Sequence, residues 1–194
     1  MSENHWDAVY SSKGIDEVSW YQADPQPSLR LLSGCRSVID VGAGRSALTA
    51  RLLADKVDVT VLDISPAALE AAAADLGPRA ESVTFIAVDV TQWTPTRTYE
   101  GWHDRAVFHF LIDSESQEAY VRTANAALAP GGRLVVGCFA SDGPEQCSGL
   151  PTARHDADDL EAIFRGFELV ETFHQEHHTP WAAPQMFTWA VFTR

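Results

Sequence analysis

The 194 residues carry 27 acidic against 14 basic side chains, a formal net charge of -13; with no run of Lys or Arg, this speaks against a nucleic-acid partner unless one face is locally basic. The length suits one domain with a real core and leaves no room for a separate substrate domain. No apolar stretch approaches the ~20 residues of a membrane helix, the start MSENHWDAVYSSKG lacks the basic-then-apolar order of a leader, and Cys35, Cys138 and Cys147 have no paired metal spacing. The expectation is a cytoplasmic protein with no membrane partner.

In chain order, HWDAVYSSKGIDEVSWYQ first brings Trp6, Tyr10, Trp20 and Tyr21 ahead of any strand-like run. A helix docked by its aromatic side is one reading, and aromatic faces stacking on a ligand is another; both can hold together. Apolar, β-rich runs then alternate with helical stretches: SVIDV, VDVTVLD, VTFIAVDV and RLVVGCF. That alternation is the pattern of a parallel sheet flanked by helices.

The first run opens into G-x-G-x-x-A at Gly42, Gly44 and Ala47, the loose form of a dinucleotide fingerprint. A nicotinamide cofactor, another nucleoside-like ligand and a turn with no ligand all remain open on that match. Asp40 stands two residues before the first glycine, where its charge opposes a pyrophosphate on the helix N-terminus and welcomes an amino group. The second run ends in Asp63, placed to accept hydrogen bonds from ribose hydroxyls, with Ile64 beside it to pack on a purine. A helix follows over SPAALEAAAADLG, with Ser65 as N-cap, Pro66 at the first helical position and Gly77 as the stop. The third run ends in Asp89, where a carboxylate can accept from an exocyclic amine.

The fourth strand falls in YEGWHDRAVFHFL, and Arg105 to Leu111 are expected to begin the next helix. A helix over about 114–129 is closed by Pro130-Gly131-Gly132; within it Tyr120 is followed four residues later by Ala124, so the Tyr-x-x-x-Lys pair of short-chain dehydrogenases is missing. A long loop over 141–155 contains Cys147, a candidate substrate contact, although a lone cysteine is more often inert. FELVETFHQEHH and QMFTWAVFTR, separated by TPWAAP, should pair as an antiparallel hairpin. On that strand His174 and His178 share a face and His177 points away, a poor three-histidine metal site, so no metal is expected. His177 or His178 remain candidates for lining an acceptor pocket.

Four motifs in order, D-V-G-A-G at 40–44, L-D-I at 62–64, V-D-V at 88–90 and L-A-P-G-G-R-L at 128–134, resemble the class I S-adenosylmethionine-dependent methyltransferases over roughly residues 28–194. The resemblance implies an α/β, Rossmann-like seven-stranded, mostly parallel sheet with helices on both faces and a C-terminal antiparallel β-hairpin. It implies a single domain over 1–194, in which 1–27 form a lid segment and 28–194 the core. S-adenosyl-L-methionine is the implied cofactor and S-adenosyl-L-homocysteine the product. Asp40, Gly42, Ala43 and Gly44 would lie by the methionine part, Asp63 and Ile64 at the ribose and purine, and Asp89 and Val90 near the adenine amine. Trp20 and His103 would also face the cofactor.

Glu100 fills the acidic position the family usually has at the start of the fourth strand, leaving His103 and Asp104 at its catalytic end. Methyl transfer from a sulfonium is an in-line displacement that needs positioning and, for a protonated nucleophile, a base. His103 and Asp104 are the candidates; in the alternative reading His103 lines the cofactor through its backbone while Asp104 pairs with Arg105 or caps a helix. His109 is expected to be packed. The implied function is methylation of a small-molecule acceptor entering between the lid, the 141–155 loop and the hairpin turn. A protein-lysine methyltransferase is the alternative, because H-W-D-x-V-Y and S-W-Y-Q resemble the N-terminal pattern of a lysine-methylating branch and an acidic surface suits a basic tail. A third possibility is a non-catalytic, cofactor-binding regulatory subunit.

Overall fold

The computed structural model describes residues 2–194. Helices α1 (Glu3–Ser12) and α2 (Ser28–Leu31) precede β1 (Ser37–Val41), α3 (Ala47–Ala54), β2 (Asp58–Asp63), α4 (Pro66–Leu76), β3 (Val83–Ala87) and β4 (Tyr99–Arg105). Then come α5 (Ser114–Ala127), β5 (Leu128–Phe139), the short β6 (Gln146–Cys147) and β7 (Leu150–Pro151), α6 (Ala157–Ile163), β8 (Glu168–His178) and β9 (Pro184–Thr193).

The large sheet has the order β3-β2-β1-β4-β5-β9-β8. Only β9 runs against its neighbours, pairing antiparallel with both β5 and β8, so the expected fold and the closing hairpin are both present. The chain steps outward from β1 to β3 and returns to place β4 on the other side of β1, with Asp40 beside His103 and Val41 beside Asp104. The connections leaving β1 and β4 therefore diverge, and a crevice opens beyond the carboxyl ends of those strands.

Burial on both faces explains the near-continuous apolar character of β1 and β2. On one face, Leu31 of α2, Leu48 and Leu52 of α3 and Leu69 of α4 pack on Val38, Val59 and Val61. On the other, Tyr120 and Ala124 of α5 and Leu160 of α6 meet Trp102, Leu134 and Phe108. Local chemistry sets the helix starts: the Ser46 hydroxyl accepts from Leu48 N at 3.1 Å, Ser65 from Ala68 N at 3.1 Å, and Asp113 from Ser116 N at 2.9 Å. Among the described residues no helix is long and apolar enough to cross a membrane.

The helix expected from Arg105 is a correction. Strand β4 runs through Arg105, Ala106 turns with φ +73°, and a single tight turn over Phe108–Phe110 follows before α5. The apolar run matches a helix, but a tertiary bond and a local one override it: Ala106 N donates to Gly137 O on β5 at 2.8 Å, and Val107 N to the nearby Asp104 carboxylate at 2.9 Å. The 141–155 stretch is likewise less open than expected, since β6 and β7 form a two-stranded ribbon that turns at Ser148 and Gly149, both with positive φ.

Helix α1 lies across the crevice end of the sheet. The Asp7 carboxylate accepts from Ser65 Oγ at 2.5 Å and Ala67 N at 3.2 Å, pinning α1 to the first turn of α4, while Trp6 and Val9 are buried against Val18. Behind the crevice, Tyr120 Oη accepts from Trp102 Nε1 at 2.8 Å and donates to Asp104 Oδ2 at 2.6 Å in a fully buried chain. Tyr120→Phe strands a carboxylate oxygen and an indole N–H, so stability in urea should fall by about 1–3 kcal/mol; an unchanged midpoint would contradict the role of this chain.

Candidate active site

The turn after β1 is shaped by close approach. Gly42 has φ +60°, and a Cβ there would meet Val107 Cγ2 at 1.9 Å; Gly44 has φ +50°, and its Cβ would meet Tyr10 Oη at 2.1 Å. A side chain at either position is both strained and blocked. Asp63, the last residue of β2, fixes this turn: its carboxylate accepts from Gly44 N at 3.0 Å and Ser65 N at 2.9 Å. Asp63 lines the crevice together with Ile64, Asp89 and Val90. Burial raises the Asp63 pKa to about 6, against the opposing effect of the Ser65 and Gly44 amides.

A second buried chain lies under the glycine turn. His103 Nδ1 is 2.7 Å from Asp40 Oδ1 and its Nε2 is 2.8 Å from Ser28 Oγ. All three side chains are buried, and Asp40 Oδ2 has no hydrogen-bond partner. Asp40, His103 and Ser28 reach the lobe of the crevice that extends over Ala43. An imidazole donating from Nδ1 to the carboxylate accepts at Nε2 from the serine hydroxyl. Ser28 escaped sequence reasoning; its only signal is a serine opening a short helix after Pro27.

The remaining expected residues divide cleanly. Trp20 lines the crevice with Trp6 and Tyr10. Asp89 also lines it, but β3 stops at Ala87, and Asp89 Oδ1 is engaged by the Thr91 amide at 2.9 Å and hydroxyl at 2.7 Å. Asp104 is turned to the opposite face, where Tyr120, Val107 and Phe108 donate to it. The expectation of a catalytic Asp104 is therefore corrected: alternation along β4 that sends His103 toward the crevice sends its neighbour away. Glu100 stands near the far end of β4, paired with Arg36.

His109 is fully buried and stacked on Phe139 at 4.2 Å, and burial pushes its pKa down to about 3. Of the late histidines, His177 Nε2 donates to Ser19 O at 2.7 Å, whereas His174 and His178 are exposed. Among the described residues no group of three or more His, Cys, Asp or Glu is arranged to hold a metal ion. Cys147 Sγ lies 3.8 Å from Ser19 Oγ, so the β6–β7 ribbon and the N-terminal segment close one side of the crevice together.

Residues 38–132 match the family described as Methyltransferase domain. Among solved structures, a protein studied for the conversion of a disulfide bond into a thioacetal group during echinomycin biosynthesis is 20% identical with a TM-score of 0.80, covering 99% of this chain and 91% of that one. The N-methyltransferase NodS from Bradyrhizobium japonicum WM9, in complex with S-adenosyl-L-homocysteine, is 17% identical with a TM-score of 0.75, covering 100% and 99%. The 1,6-didemethyltoxoflavin-N1-methyltransferase of Burkholderia thailandensis, with its acceptor and S-adenosylhomocysteine bound, is 22% identical with a TM-score of 0.70, covering 100% and 84%. At such identities the likeness is one of fold. The family match over 38–132 and the fold shared with these structures support a class I S-adenosylmethionine-dependent methyltransferase.

S-adenosylmethionine, the cofactor of this class, fits the residues present. Its ammonium suits a buried carboxylate oxygen with no partner at Asp40, its hydroxyls suit the carboxylate of Asp63, and its backbone-hugging tail suits glycines that admit no Cβ. On the expectation that Asp63 accepts the ribose hydroxyls, its carboxylate must be ionised, so affinity is full above the raised pKa and is lost as pH falls through about 6. Calorimetry with S-adenosylhomocysteine should show roughly tenfold weaker binding at pH 5 than at pH 7.5. Asp63→Ala should weaken binding at pH 7.5 and flatten this dependence; a variant as tight and as pH-sensitive as wild type would refute the assignment.

Proposed function

We propose that the protein transfers the methyl group of S-adenosylmethionine to a small-molecule acceptor, working as one domain over 1–194 in which 28–194 form the core and 1–27 the lid. When bound, the cofactor supplies an electrophilic methyl carbon on a sulfonium, open to in-line attack. Asp40, Gly42, Ala43 and Gly44 hold the amino-acid end, and Asp63 accepts the ribose hydroxyls. Ile64 and Val90 flank the adenine, with an Asp89 oxygen for its amine. Trp6, Tyr10 and Trp20 exclude water and turn π-faces toward positive charge.

The observation that carries the reading is the roof. Trp6, Trp20 and Phe110 meet edge to face at 5.7 and 5.1 Å, directly over the crevice that Asp63 lines. An apolar, covered cleft suits a small molecule. A protein lysine is the alternative acceptor, but its ammonium would face Arg105, which also lines the cleft. For a proton leaving the acceptor, the candidate base is His103, acting through Ser28, since Asp104 does not reach the cleft. Free thiols at Cys35, Cys138 and Cys147 accord with a cytoplasmic setting, and the net charge of -13 argues against nucleic acid as substrate.

The test is to incubate the purified protein with methyl-labelled S-adenosylmethionine and a cell extract, then separate macromolecules from metabolites. Label among the metabolites is expected. Label confined to a protein band would overturn the small-molecule reading in favour of a lysine acceptor.

A further inference from the structure

Arg105 closes β4 on the same side as His103, and its environment is unusual for a cation. Nη1 donates to Trp20 O at 2.8 Å, and the guanidinium lies 5.0 Å from the Phe187 ring centroid. Nη2 is shut off from solvent and has no hydrogen-bond partner. Among the described residues no carboxylate pairs with it; the facing groups are the Cys147 thiol and His109 and His177, both of which burial holds neutral near pH 7. A buried, uncompensated guanidinium is costly unless an anion arrives to meet it.

Two anions are available to such a group: the cofactor's carboxylate and one on the acceptor. The lobe over the glycine turn already has Lys13 and Arg45 along its walls. Arg105 lines that lobe as well, but its guanidinium packs on Phe187 of β9, close to Cys147 of the β6–β7 ribbon, on the side where the cleft is apolar. Trp6, Trp20 and Phe110 stand beside it and offer an apolar surface for the rest of the ligand.

We infer that the acceptor is a small carboxylic acid with an apolar body, and that Arg105 seats its carboxylate while a neighbouring atom receives the methyl group. This rests on the methyltransferase reading above and adds the class of substrate. The bond from methyl carbon to sulfur breaks with its electron pair on sulfur, the acceptor's lone pair forms the new bond, the proton of a protonated acceptor atom passes through Ser28 to His103, and the carboxylate leaves unchanged on the product. Arg105 touches the substrate and sets specificity rather than taking part in bond-making.

The experiment uses wild-type protein, methyl-labelled S-adenosylmethionine and a small-molecule extract, and passes the products over an anion exchanger. Labelled product retained at pH 7 and released at about pH 2, where a carboxylate is protonated, is the expected result. Product that passes at pH 7, or stays bound at pH 2 as a sulfate or phosphate ester would, overturns the inference. Arg105→Gln should lower kcat/KM for the recovered acceptor by roughly 30-fold or more while S-adenosylhomocysteine affinity, read by calorimetry, stays within about twofold and shows the variant folded. A fall in that affinity matching the loss of turnover would assign the guanidinium to the cofactor. No labelled metabolite from protein that still binds S-adenosylhomocysteine would sink the small-molecule reading itself. The charge of the product is read on wild type and does not depend on any variant folding.

Discussion

The crevice depends on one carboxylate. Asp63 ends β2 and, by accepting from Gly44 N and Ser65 N, ties the glycine turn after β1 to the first turn of α4. Two orphan backbone donors at neighbouring turns are satisfied by a single buried side chain, at the cost of a pKa raised by burial. Helix α1 joins the same construction, since Asp7 accepts from Ser65 Oγ and Ala67 N while Tyr10 covers Gly44. Loop, helix start and α1 thus share a few hydrogen bonds around Asp63.

Around that frame the protein leaves two opposite charges unmet. Asp40 lines the lobe over the glycine turn and Arg105 lines both that lobe and the apolar side, and each keeps one buried polar atom, Asp40 Oδ2 and Arg105 Nη2, with no hydrogen-bond partner. Buried polar groups in folded proteins are normally satisfied, so such a pair marks where ligand groups complete the structure. A cationic amine at one end and an anion at the other would do so, with the transferred methyl between them.

Much of this was legible along the chain. Asp40, the glycines and Asp63 could be picked out because they stand at or just beyond strand ends whose apolar runs are plain in the sequence. The turn at 106–110 was not, because AVFHFL has helical spacing and it is the bond from Ala106 N to Gly137 O, on the neighbouring strand, together with the Asp104 side chain, that breaks it. Ser28 was invisible for a similar reason: it meets His103 across 75 positions of sequence. Between a base and a cap, Asp104 takes the capping role, accepting from Val107 N and Phe108 N, because the end and pleat of β4 decide which of two adjacent polar residues faces the crevice. The isolation of Arg105 depends on Trp20, Cys147 and Phe187, which only the fold assembles.

A glycine turn preceded by Asp40 should accept a cofactor without phosphate and refuse one with it. Calorimetric titration of the wild-type protein at pH 7.5 with S-adenosylhomocysteine, and separately with NAD, tests that directly. The account predicts one S-adenosylhomocysteine site per chain and no measurable heat with NAD. Binding of NAD, or no binding of S-adenosylhomocysteine by folded protein, would contradict it.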